Sequence, residues 1–149
     1  MKIEKIEHDG QVLAIITRAG QADHGVHFAT ANDNALQVGW QRRAAGVRIA
    51  AHAHCAVDMK EGHGFMQEVL YIERGSIKVI FYADDGGRVT DRVLGTGDTI
   101  LLIRGGHGFE VLEDTQMLEV KMGPYDPASK KNINVKEIPR PDANCRDSG

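Results

Sequence analysis

Short aliphatic and β-branched runs, each closed by Gly, Asp or Asn, recur along this chain at intervals of roughly ten residues. Runs over 12–17, 25–30, 36–43, 47–54, 68–74, 76–82, 88–94, 99–104, 108–112 and 117–122 each read as a strand. The breaks between them carry turn chemistry: Arg74-Gly75-Ser76, Asp84-Asp85-Gly86-Gly87, Gly95-Thr96-Gly97-Asp98 and Arg104-Gly105-Gly106. Asp85-Gly86 between two strand patterns predicts a hairpin. No stretch of a dozen residues places apolar side chains at the spacing of an amphipathic helix. Strands this short and this evenly spaced predict an antiparallel all-β sandwich or barrel, and no fixed-period repeat points to a solenoid or propeller.

The chain has 149 residues, enough for one domain that buries about two-thirds of its unfolded surface. The core is expected over about 36–122, with N-terminal strands and a wrapping segment over 1–35 and a polar tail over 123–149. In 36–43, Leu36, Val38 and Trp40 alternate with Gln37, Gly39 and Gln41, the period of a half-buried strand, and Trp40 and Tyr82 read as barrel packing. Residues 19–34, which include His24 and His27, are expected to wrap the barrel or swap onto a partner. Residues 135–138 could add an edge strand.

A net charge of −3 without a Lys/Arg cluster gives no electrostatic footprint for nucleic acid or an anionic membrane, and 5% aromatics leave no stacking platform. The N-terminus alternates charge with aliphatics and lacks the apolar core of a signal peptide. No run approaches the ~18 apolar residues of a membrane span. Cys55 and Cys145 are read as free thiols of a cytoplasmic protein.

Chemistry concentrates in a few residues. His52 and His54 are two apart in a predicted strand, so both imidazoles project from one face and can share an ion. The same alternation puts Arg48 and Ala50 on that face. Glu68 opens the strand 68–74, and His107 follows the Gly105-Gly106 turn. Five residues separate Gly46 from His52, and six separate Glu68 from Gly75. Gly97, with the Ile103-to-Gly105 turn ahead of His107, follows further on. This arrangement resembles the two motifs of the cupin superfamily. The likeness runs from Gly46 to Leu112. It departs from the family in the 13 residues between His54 and Glu68, where three or four are usual, and in Ile103 at the position of a proline, with His107 one residue closer to its turn.

The resemblance implies an all-β, single-domain cupin β-barrel, a jelly roll or double-stranded β-helix of antiparallel strands. It also implies one divalent metal held by His52, His54, Glu68 and His107. Three neutral imidazoles and a carboxylate suit Fe, Mn, Ni, Cu or Zn and leave coordination positions open. The alternative is a hydrogen-bonded polar cluster without metal. Around the ligands, Arg48 could orient an anionic substrate or form a salt bridge. Tyr71 could serve as acid or base, or pack. Phe109 could line the pocket or the core. Glu61 and His63, in the 55–67 insertion, could be solvated loop residues or part of a lid. Gly106-His107-Gly108 is no phosphate loop, and no nucleophile elbow is present.

The function expected is a metalloenzyme, a dioxygenase or an isomerase, epimerase or lyase, acting on a small oxygen-rich metabolite such as a sugar or keto-acid. Alternatives are a non-catalytic sugar-binding or sensing module and a metal-free sugar-nucleotide isomerase. The partners expected are a small-molecule substrate and a second copy of the chain, a homodimer formed through the N-terminal strands.

Overall fold

The computed structural model describes residues 2–18, 20–54, 56–59, 62–123 and 132–134. Both cysteines, Glu61 and the 135–138 segment lie outside the described residues. Fourteen strands follow one another and no helix is formed among the described residues: β1 (Lys2–His8), β2 (Gln11–Arg18), β3 (Gly25–Phe28), β4 (Leu36–Arg43), β5 (Arg48–His54), β6 (Ala56–Met59), β7 (Gly62–Phe65), β8 (Glu68–Arg74), β9 (Ser76–Tyr82), β10 (Arg88–Gly95), β11 (Thr99–Leu102), β12 (Gly106–Val111), β13 (Thr115–Met122) and β14 (Asn132–Asn134). The hairpin expected at Asp85-Gly86 joins β9 to β10.

Two five-stranded sheets carry the architecture. Sheet I has the order β10-β9-β12-β5-β14 and sheet II the order β11-β8-β13-β4-β3. Every ladder is antiparallel, as in a jelly-roll sandwich. The sheets meet in one apolar cluster. Ile77, Val79, Phe109 and Val111 come from sheet I, and Leu70, Ile72, Leu102 and Met117 from sheet II. Two further hairpins, β1–β2 and β6–β7, stand outside these sheets.

Two features depart from the simple alternation of the sequence. In β4 the polar set is the buried one: Gln37 and Gln41 are interior, whereas Leu36 is 56% exposed. Val38 and Leu36 line a cleft of about 430 Å³ shared with Lys5, Val12 and Leu13 of the β1–β2 hairpin. The outer face of this strand therefore looks toward the N-terminal hairpin, and on the inner face Gln37 donates to carbonyls of the 30–34 loop while Gln41 donates to Glu119. A period of two identifies two faces without saying which one turns inward.

The second departure is a β-bulge in β5. His107 pairs with His52 and Phe109 with Ile49, so Ala50 and Ala51 together stand opposite the lone Gly108. Gly108 makes this close approach feasible, since a Cβ there would lie 3.1 Å from both Cα and Cβ of Ala51. The extra residue shifts the alternation by one. Ile49 turns into the core, and Arg48 turns to the outer face, where its guanidinium pairs with Glu110 at 3.4 Å. Arg48 is thus not on the face of the histidines.

The 55–67 insertion contains the β6–β7 hairpin, with His63 in β7. Strand β14 pairs with His52–His54, so β12 and β14 flank β5 on its two edges.

Candidate metal centre

Sheet I supplies three histidines and sheet II faces them with a glutamate. His52 and His54 project from one side of β5 beyond the bulge, and His107 of β12 stands opposite His52 in the ladder. The turn before β12 depends on Gly105, at φ +79°, where a Cβ would lie 2.5 Å from the Tyr82 carbonyl oxygen. The ring centroids are 4.6 Å apart for His52 and His107, 5.1 Å for His54 and His107, and 5.5 Å for His52 and His54. One ring nitrogen from each lies within 4.8 Å of the others, a grouping that could hold a metal ion.

The hydrogen bonds around these rings fit that use. His52 donates from Nδ1 to the Ala50 carbonyl at 3.0 Å, within the bulge. His54 donates from Nδ1 to the Met66 carbonyl at 3.1 Å. A carbonyl oxygen only accepts, so both rings carry their proton on Nδ1 and present a lone pair at Nε2. Backbone carbonyls hold metal-ligating histidines in this same manner. His107, 4% exposed, has a buried Nε2 with no hydrogen-bond partner. An orphaned buried nitrogen of this kind costs on the order of 1–3 kcal/mol.

Burial holds the His107 imidazole down at about 3, with His52 and His54 adding to the effect. His54 is held at about 4, again by burial, with the Met66 carbonyl partly opposing. Both rings are neutral at pH 7, the form in which imidazole binds a metal.

Glu68 lies opposite, 5% exposed, with Oε2 at 3.3 Å from His54 Nε2. Burial, then the neighbouring Glu119, pushes its carboxyl well above the usual carboxylate range, and the two side chains hydrogen-bond. In its protonated form Glu68 donates to Glu119. Glu119 also accepts from the Gln41 amide and pairs with Lys121 Nζ at 2.7 Å. The Lys121 ammonium sits 4.7 Å from the centre of the Phe28 ring.

A narrow cleft of about 10 Å³ opens beside His54 and His107, walled by Phe65, Met66, Ile103 and Arg104. Arg104 lies over the Phe65 ring at 4.7 Å and donates from Nε to Asp84 at 2.7 Å. The insertion thereby contributes both a wall of the opening, through Phe65, and the carbonyl that orients His54, through Met66.

Of the residues singled out from the sequence, His52, His54, Glu68 and His107 come together. Arg48 and Tyr71 do not. Tyr71 stands on the side of β8 opposite Glu68, 37% exposed, in register with Thr99 and Leu118. Phe109 lies in the core, its ring 5.4 Å from that of His107. His24 and His27 hydrogen-bond each other, ring nitrogen to carbonyl, away from the cluster.

Gln41, Glu119 and Lys121 were not singled out. The signal for Glu119 and Lys121 is the alternation of 117–122, which sets Met117, Glu119 and Lys121 on one face and Leu118, Val120 and Met122 on the other. A face with two charges ordinarily reads as solvated.

The chain matches no protein-family model and no curated protein sequence. Among solved structures it is similar to a mutant of Bacillus subtilis oxalate decarboxylase, with a TM-score of 0.56 and 21% identity over 76% of this chain and 29% of that one. It is similar to a cupin-2 domain containing protein from Shewanella frigidimarina, with a TM-score of 0.50 and 14% identity, covering 68% of this chain and 84% of that one. A further structure, described by the Mn(II) centres of Bacillus subtilis oxalate decarboxylase, gives a TM-score of 0.50 and 22% identity over 66% of this chain. The chain spans 24% of that protein's length. At these identities the likeness concerns the fold.

Proposed function

We propose that this chain, which has the cupin fold, is a metalloenzyme. It would hold one divalent transition metal on His52, His54, Glu68 and His107 and act on a small oxygen-rich metabolite, a keto-acid or a sugar. One observation carries the reading. His107 Nε2 is buried without a partner, beside two histidines whose Nδ1 hydrogen bonds direct Nε2 lone pairs into the interior. A cation there would satisfy all three nitrogens at once.

Fe, Mn, Ni, Cu and Zn all suit such a donor set. When bound, the ion supplies Lewis-acid polarisation of a substrate oxygen or a water of lowered pKa. The chain's own residues do the rest. Ala50 and Met66 fix the imidazoles, Phe109 and the apolar interior limit water, and Glu68 would give up its own proton on ligating the ion. The reaction would be a dioxygenation, or an isomerisation, epimerisation or elimination. The metal-free isomerase reading called for a tyrosine beside the histidines, and Tyr71 faces the other way. A homodimer through the N-terminal strands fits the exposed Val12, Leu13 and Leu36 around the outer cleft.

Elemental analysis tests the reading. Metal-free protein is offered Fe, Mn, Ni, Cu and Zn in turn and separated from unbound ion. About one equivalent of at least one metal is expected in the wild type, and under about a tenth in His107→Ala. A wild-type content below about a tenth for every metal would sink the proposal.

A further inference from the structure

The histidines of sheet I are faced by a charged wall that their own chemistry does not require. Along the interior of sheet II, Lys121 stands level with Glu68, Glu119 with Leu70, and Met117 with Ile72 and Gln41. Glu119 is 3% exposed and joins Gln41, Lys121 and Glu68. The ammonium of Lys121 is fixed between the Glu119 carboxylate and the Phe28 ring, at the level of the metal-facing carboxyl. Burying such a pair adds little to a fold, because apolar residues of like volume often serve as well or better. Deeper in the same interior the positions are apolar, at Leu70, Ile72 and Met117. The charges are confined to the end that holds the histidines.

We propose that Lys121 is the anion-recognising residue of this centre and that the ligand is a small carboxylate. The ligand would chelate the metal through one carboxylate oxygen and a neighbouring hydroxyl or carbonyl oxygen. Its second carboxylate oxygen would take an N–H from Lys121. This rests on the metal reading above. Formal charges agree with it: a divalent ion and Lys121, set against Glu68 and Glu119, leave a net positive charge that a monoanion neutralises and an uncharged sugar does not. Gln41 holds Glu119, and Glu119 holds Lys121, so these two act as positioning residues.

The test loads the full chain with cobalt(II), whose visible spectrum reports ligand exchange, and titrates it with glycolate and with its uncharged amide, glycolamide. The wild type is expected to bind glycolate about tenfold or more tighter than glycolamide, one charge-assisted hydrogen bond's worth. In Lys121→Met that preference falls below about threefold, with cobalt content and glycolamide affinity unchanged. Lys121→Arg keeps the preference. Glycolate affinity in fully loaded Lys121→Met within about twofold of the wild type would overturn the proposal. So would a wild-type preference below about threefold, a result that needs no variant to fold. A wild type that takes up no cobalt would remove the metal reading and this inference together, and the cobalt content separates that outcome from the others.

Discussion

The two ends of the sandwich interior are equally dry and chemically opposite. At one end Leu70, Ile72, Ile77, Val79, Val111 and Met117 pack with 2% exposure or less. At the other, His107, Glu68 and Glu119 are also buried, yet they carry an orphaned nitrogen and a chain of hydrogen-bonded and charged groups. The first end is what a β-sandwich needs in order to fold. The second adds costs that only a ligand would offset. Burial therefore serves stability in one half and sets up chemistry in the other.

The comparison breaks most visibly under truncation. Ile72→Ala, at the apolar end, is expected to lower unfolding free energy by about 2–5 kcal/mol in urea titration. A loss under about 1 kcal/mol would mean that this end does not hold the sheets together. His107→Leu should act in the opposite sense. The metal-free variant is expected to be as stable as the wild type, or to gain up to about 1–3 kcal/mol, because the orphaned nitrogen is gone. The wild type alone should gain from metal, about 2.7 kcal/mol at a hundredfold excess over Kd. Calorimetry with and without metal reads both effects.

Acid titration sharpens the contrast. His54 and His107 sit at about 4 and about 3 in the fold against 6.5 when unfolded. Below pH 6.5 the unfolded chain takes up protons that the native one refuses, so stability of the metal-free protein falls as pH drops from there through the folded values. Glu68, raised in the fold, works the other way, and its contribution is lost as pH rises through its folded value. Ile72→Ala should keep the acid slope and His107→Leu should flatten it; equal slopes would contradict the assignment. The smallest effect is expected at Arg48→Ala, about 0.2–1 kcal/mol with metal uptake unchanged, since its pair with Glu110 is exposed.

Much of this was legible in the sequence, for identifiable reasons. The bounds of β4, β8 and β9 coincide with the runs at 36–43, 68–74 and 76–82 because Gly and Asp turns close each one. The candidate ligands stand out in the sequence because their spacing resembles the cupin motifs; the structure groups the rings of His52, His54 and His107 and sets Glu68 3.3 Å from His54. Arg48 was misread because a bulge leaves no mark in a binary pattern beyond Ala50-Ala51 opposite a glycine that is distant in sequence. The inner face of β4 was hidden for a related reason. Gln37, Gly39 and Gln41 look like a solvated face until Glu119 and Lys121 of β13 are placed beside them, and sequence alone does not provide that pairing.

Anomalous diffraction from a metal-loaded crystal tests the central claim most directly. The expected result is one peak, about 2.0–2.2 Å from Nε2 of His52, His54 and His107 and from a Glu68 oxygen. A peak lying elsewhere, or an empty centre with His107 Nε2 hydrogen-bonded to water, would contradict it.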